Sequence, residues 1–270
     1  MRAAQRGWHR RGLCAIAARM LNYIEHGQET DKPGLLIAHG LYGSGRNWGV
    51  IAKRLSDSRR VVAVDMRNHG ESHWFETHTY RDLADDLAGV IDHLGGPFDV
   101  LGHSMGGKAA MVLAVTRPDR VNRLVVADIA PVAYTHTQTR YIEAMQAADL
   151  SGIERRSDAK ARLAPHLDDP ELVSFFLQSL DVKNRKWTLN LDTLKAEMDH
   201  ILGFPELSGR FDGETLFLSG AESDYVQRDH RPAIKALFPK ARFAKIPGAG
   251  HWLHAEKPRE FEAALRGWLG

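Results

Sequence analysis

One cysteine, Cys14, stands in a chain of 270 residues. That excludes an internal disulfide and a cysteine-rich metal site, and it suits a reducing compartment. No window approaches the roughly 18 to 20 consecutive apolar residues that a membrane-spanning helix needs, and no internal repeat or low-complexity tract is visible. An excess of one charge is also missing. Thirty-six Lys plus Arg stand against 34 Asp plus Glu, a formal charge of +2, which supplies no electrostatic footprint for nucleic acid or an anionic membrane surface. These absences predict a soluble, cytoplasmic protein whose partner is a small molecule; they leave monomer and homodimer equally open. The one local asymmetry is at the start, where residues 1–19 carry five arginines and no acid. Such a segment has the look of a transit peptide or basic arm. We expect an extension outside the fold, because the strand-like run "MLNYIEHG" begins only at Met20.

What is present is a globular composition, 43% hydrophobic and 26% charged, long enough to bury a large core. Short apolar runs recur along the chain: "LLIAH" (35–39), "VVAVD" (61–65), "FDVLG" (98–102), "LVVAD" (124–128), "TLFLS" (215–219) and "ARFAKI" (241–246). Runs without polar alternation predict strands covered on both faces, as in a parallel sheet. Helical signals lie between them. Thr79 with Asp82 forms a capping-box pattern ahead of Leu83, Leu87, Val90, Ile91 and Leu94, and Pro258 opens a stretch with Phe261, Leu265, Trp268 and Leu269 at helical spacing. The expected fold is a doubly wound, mostly parallel α/β sheet.

The alternation stops between Pro131 and Pro205. "RYIEAMQAADL" and "ELVSFFLQSL" read as helices, and no convincing strand is found there. The expected organisation is therefore an α/β core over 20–130 and 206–270 with a helical insertion over 131–205. Tyr134, Tyr141, Phe175, Phe176 and Trp187 of the insertion are candidates to line a ligand cavity.

The most informative stretch is "GHSMGG" (102–107), where an apparent strand hands over to an apparent helix. A sharp strand-to-helix turn forces its central residue into a strained conformation, and glycines two positions before and after remove clashing side chains. Gly102 and Gly106 bracket Ser104 in this way. The hydroxyl is lifted out at the carboxyl end of the sheet, where open α/β sheets bind ligands. A serine hydroxyl is a poor nucleophile at neutral pH, so this chemistry needs a histidine base and a carboxylate to orient it. The order in such folds is Ser, acid, His. His251, in the glycine-rich loop "PGAGHWLHAEKP" after the last strand run, is the leading base, with His254 as its rival. For the acid, Asp224 in "LSGAESDYV" is preferred; Asp128, closing "LVVAD", is the alternative and Glu222 the weaker rival. Negative charge on a tetrahedral intermediate needs donors. The backbone N–H of Met105, next to the serine, and that of Leu41 in "HGLYGSG" are the expected oxyanion hole, with Gly40, Gly43 and Gly45 shaping the loop. His39, His69 and His103 are expected to hold loops by hydrogen bonds.

With these residues named, the sequence resembles the α/β-hydrolase superfamily, and within it the bacterial YbfF-type esterases. "HGLYGSGRNWG", "VDMRNHGES", "GHSMGGKAAM", "VVADIAPVAY", "SGAESDYV" and "GAGHWLHAEKP" occur in that order over Met20 to Gly270. The resemblance implies an α/β-hydrolase fold with an inserted helical cap and a triad of Ser104, Asp224 and His251. It also implies hydrolysis of a carboxylic ester or acyl thioester through an acyl-enzyme, without metal or organic cofactor. The group's "DIAP" segment keeps Asp128 as a candidate second acid. "HGLYG" lacks the triple glycine of another esterase branch, which points the Leu41 side chain at the pocket and suggests an apolar acyl group. A haloalkane dehalogenase is disfavoured, because that chemistry wants a carboxylate where Ser104 stands. The same constellation can also serve a C–C bond hydrolase, a perhydrolase, a lyase or a slow-turnover receptor.

Overall fold

The computed structural model describes residues 20–270. The basic segment 1–19, and Cys14 with it, lies outside the described residues. In chain order the first half comprises β1 (Tyr23–His26), β2 (Leu35–Ala38), α1 (Gly49–Leu55), β3 (Val61–Val64), α2 (Tyr80–Leu94), β4 (Phe98–His103), α3 (Met105–Thr116) and β5 (Val121–Ala127). The chain then leaves the sheet through α4 (Thr139–Ala147), α5 (Arg156–Leu163), α6 (Pro170–Phe176), the strands β6 (Leu180–Asp181) and β7 (Lys186–Trp187), α7 (Leu191–Ala196) and α8 (Met198–Leu202). It returns with β8 (Glu214–Gly220), α9 (Arg231–Leu237), β9 (Ala241–Ile246), α10 (Leu253–Glu256) and α11 (Pro258–Leu269).

Seven strands form one sheet in the order β1-β3-β2-β4-β5-β8-β9. Only β1 runs antiparallel to its neighbour. Every residue of β2, β3 and β4 is buried, as their unbroken apolar runs predict for strands covered on both faces. One face packs on α2 and α3 through Leu83, Leu87, Ala110 and Leu113. The other packs on α1 and α11 through Ile51, Leu55, Phe261 and Leu265. At about 1.5 to 3 kcal/mol per fully buried large apolar side chain, these two layers fix the sheet's position and with it the carboxyl ends of β4, β5, β8 and β9.

Local signals set the helices as expected. Thr79 Oγ1 accepts from the Asp82 N–H at 3.3 Å while Asp82 Oδ2 accepts from the Thr79 N–H at 3.3 Å, and α2 ends at Gly95 with φ of 83°. Pro258 opens α11. The stretch between β5 and β8 departs from the all-helical expectation. β6 and β7 pair as a hairpin, Leu180 opposite Trp187. Two residues per strand are too few for alternation to reveal them. The turn is instead held by the Asp181 carboxylate, which accepts from the Asn184 N–H and side-chain amide. Trp187 is turned inward, its Nε1 donating to the Met145 carbonyl at 2.9 Å, so it braces the insertion rather than lining a ligand cavity. Among the described residues, no helix is long and apolar enough to cross a membrane.

Candidate active site

The turn between β4 and α3 is strained where the glycine spacing predicts. Ser104 has φ of 51° and ψ of −118°, a region that costs a non-glycine residue about 1 to 3 kcal/mol. A Cβ on Gly102 would stand 2.2 Å from the Gly106 carbonyl oxygen, and one on Gly106 would stand 2.4 Å from that of Ala38. Neither position accepts a side chain, because strand, turn and helix are in backbone contact. The Ser104 N–H is tied to the Ala127 carbonyl of β5 at 3.1 Å. Its side chain lines a cavity of about 200 Å³ shared with His251, Leu41 and Met105.

His251 sits in the loop after β9, and its Nδ1 lies 2.7 Å from Asp128 Oδ2. The carboxylate against this ring is that of Asp128 and not that of Asp224, the acid preferred from sequence. Asp224 is exposed and makes no side-chain hydrogen bond among the described residues, and Glu222 is likewise exposed. Asp128 is completely buried. It ends β5 on a backbone turn with φ of 52°, which swings its carboxylate across to β8. There Oδ1 accepts from the Gly220 N–H at 3.1 Å and Oδ2 accepts from the Ser223 hydroxyl. In the loop after β8 it is thus Ser223 that turns inward, leaving Asp224 to solvent. A carboxylate only accepts, so Nδ1 carries the hydrogen of this bond, and in the neutral ring Nε2 is the nitrogen without one.

His254, the rival base, is buried and stacked on Trp48 with ring centroids 4.1 Å apart. Burial, with a smaller contribution from nearby His251, pushes it down to about 3. It packs between Trp48 and His103 at the cavity wall, and Asp128 makes its hydrogen bond to His251 instead.

The loop before α1 is held rather than flexible. His39 Nδ1 donates to the Gly40 carbonyl at 2.7 Å and its Nε2 accepts from the Met66 N–H at 2.9 Å. His69 Nδ1 donates to the Arg67 carbonyl at 2.9 Å while Nε2 accepts from the Tyr42 N–H at 3.1 Å. Each ring faces one carbonyl and one N–H, so each is a neutral imidazole of fixed tautomer. Burial holds both below the usual histidine range, His69 at about 3. His103 Nε2 donates to the His251 carbonyl at 2.9 Å, so it fixes the loop that carries His251. A Cβ on Gly40 would stand 3.2 Å from Ser104 Cβ, so the loop runs directly against Ser104. The N–H groups of Leu41 and Met105 make no hydrogen bond among the described residues and flank the serine, with the N-terminus of α3 behind it.

Four residues went unnoticed in sequence. His78 accepts from Asn68 Nδ2 at 3.2 Å and donates from Nε2 to Met105 Sδ at 3.2 Å. Lys108, one turn after Ser104, is buried and donates to the Leu202 and Gly203 carbonyls at 2.8 and 2.6 Å. Burial without a carboxylate partner lowers its ammonium to about 7. It joins α3 to the end of α8. Ser223 and Tyr225 bear on Asp128 and His251. None of the four carries a local pattern, since the contacts that tie them to the site join residues 26 to 95 positions apart; only chain folding reveals them. Tyr134, Tyr141, Phe175 and Phe176 do line the cavity, together with Leu172.

With this geometry in place, the comparisons with known proteins are consistent. Residues 33–258 match the family described as alpha/beta hydrolase fold. The chain is 40% identical over 248 residues to the sn-1-specific diacylglycerol lipase ABHD11 of Mus musculus, covering 88% of this chain and 81% of that protein. It is 36% identical to esterase YbfF of Escherichia coli, over 90% of this chain and 94% of that one. The solved structure of a marine microorganism esterase superposes with a TM-score of 0.87 at 35% identity, covering 93% of this chain and 99% of the other. A strained serine turn on a seven-stranded, mostly parallel sheet and a family match across most of the chain lead to one conclusion: this protein belongs to the α/β-hydrolase family, with YbfF among its relatives.

Proposed function

We propose that the protein hydrolyses carboxylic esters through an acyl-enzyme on Ser104, with His251 as general base and Asp128 as the acid that orients it. The observation that carries this reading is the 2.7 Å contact between His251 Nδ1 and the buried Asp128 carboxylate, with His251 and Ser104 lining one cavity. As the Ser104 hydroxyl attacks an acyl carbonyl, His251 Nε2 takes its proton; the Leu41 and Met105 N–H groups receive the oxyanion. The leaving alcohol departs with that proton. Water, deprotonated by the same imidazole, then releases the acid and regenerates the serine.

Leu41, Leu172, Phe175 and Phe176 give the cavity an apolar lining, which favours an apolar acyl group. Thioesters fit the same chemistry, because the oxyanion and base meet the acyl half only. The stretch over 131–205 acts as a helical cap on a core of 20–130 and 206–270. Relatives named lipase and esterase favour esters over C–C bonds, peracids or elimination. The test is Ser104→Ala assayed on p-nitrophenyl esters of graded acyl length. Turnover should fall by about a millionfold, with an unchanged circular dichroism spectrum. Retention of wild-type turnover would remove the serine from the mechanism. A slow-turnover receptor would instead show a burst of one acylation per wild-type chain and then stop.

A further inference from the structure

The ring of Tyr225 lies flat on the imidazole of His251, with centroids 4.0 Å apart and planes 19° from parallel. The other aromatic neighbours of His251 do not stack: His103 is tilted at 4.8 Å and Trp252 at 6.1 Å. Tyr225 is itself held from three sides. Its N–H donates to Ser223 Oγ at 3.3 Å, its carbonyl accepts from the Tyr134 hydroxyl at 2.7 Å, and its own hydroxyl lies 2.8 Å from His136 Nε2. The loop after β8 therefore serves both partners of the relay, Ser223 on Asp128 and Tyr225 on His251, although its own carboxylate touches neither.

The charges around His251 make the stacking consequential. From β5 comes the Asp128 carboxylate. From β4 comes His103, kept far below the usual histidine range by burial and by the neighbouring imidazoles. From α10 comes His254, held at about 3. From the β8 loop come Tyr225, whose phenol burial pushes up to about 12, and the exposed Asp224. His136 stands behind Tyr225. When the imidazole gains a proton, the groups in contact that favour the cation are the Asp128 carboxylate and the π face of Tyr225.

Resting on the assignment of His251 as the base, we propose that Tyr225 is a positioning residue of the reaction: its stacked ring fixes the imidazole plane and stabilises the imidazolium formed as Ser104 attacks. The proton that leaves Ser104 Oγ resides on Nε2 beneath the ring until the leaving group takes it.

Tyr225→Phe keeps the ring and loses the hydroxyl; Tyr225→Leu loses both. With p-nitrophenyl butyrate, the Phe variant should keep kcat within about threefold. The Leu variant should lose about 3- to 30-fold in kcat, with KM changed far less. The low-pH limb of its kcat/KM profile, which reports protonation of the base, should move to lower pH, because the protonated form has lost its support. Equal losses in Phe and Leu would overturn the proposal in favour of the hydroxyl contact with His136; a loss confined to KM would reduce Tyr225 to a pocket wall. Tyr225→Met is the second variant should Leu fail to fold, judged by the same kcat and pH readouts. Ser104→Ala and His251→Ala separate the two levels. If these retain turnover, the underlying triad reading falls; if they abolish it while Leu and Met match wild type, only the role of Tyr225 does.

Discussion

Replacing Asp128 by asparagine preserves the side-chain volume and reverses one of its hydrogen-bonding edges. The carboxylate accepts from His251 Nδ1 at 2.7 Å, from the Gly220 N–H at 3.1 Å and from the Ser223 hydroxyl. An amide has a single acceptor oxygen. With that oxygen kept on the Gly220 N–H, the NH2 group faces His251 Nδ1, which must then accept rather than donate. The proton moves to Nε2, the atom that receives the serine proton in the proposed mechanism, and the tautomer is wrong for that step. A loss of about 10⁴ in kcat, some 5.5 kcal/mol, is the cost of that error in a serine triad. Asp224→Asn alters an exposed side chain with no partner among the described residues, and its effect should stay within about threefold, as for surface substitutions generally. Stopped-flow measurement of the acylation burst with a p-nitrophenyl ester reads the difference directly, with thermal unfolding as a control for fold. A drop of more than a hundredfold in Asp224→Asn beside a small change in Asp128→Asn would refute the geometry-based assignment.

Two further outcomes follow from strain and burial. Glycine tolerates the φ of 51° at Ser104, so Ser104→Gly should be more stable than Ser104→Ala by about 1 kcal/mol in denaturant unfolding while both are inactive; equal midpoints would show that the turn stores no strain. Burial holds Lys108 at about 7, against about 10.4 for an exposed lysine. Between these values the unfolded chain binds a proton that the folded chain lacks, so stability rises with pH through that window by up to about 1.4 kcal/mol per unit. Lys108→Met should flatten this part of the profile and, by orphaning the Leu202 and Gly203 carbonyls, lower stability at pH 7 by about 1 to 3 kcal/mol; an unchanged slope would mean that Lys108 titrates as an exposed lysine.

Much of the molecule was legible before folding because its signals are local. The apolar runs became β2, β3, β4, β5, β8 and β9; a strand buried on both faces must be apolar throughout, and only the edge strand β9 is largely exposed. The turn at Ser104 was legible because the constraint and the glycines relieving it lie within two positions of each other. The β6–β7 hairpin was not, being held by one aspartate and a buried tryptophan rather than by periodicity.

The choice of acid shows where local reading stops. β5 and β8 are adjacent and parallel, Ala127 beside Leu218, so Asp128 and Asp224 both leave the same end of the sheet within reach of the β9 loop. Nothing in either segment states which carboxylate turns inward. That was decided by the left-handed bend at Asp128 and by a loop that points Ser223 and Tyr225, not Asp224, at the imidazole. Sequence alone determined the layered sheet and the bent serine, because each is written in residues near one another. Tertiary structure alone decided which carboxylate meets the imidazole and which ring stacks on it, because hydrogen bonds between segments more than ninety positions apart, and a ring contact between two different loops, depend on where those loops finally lie.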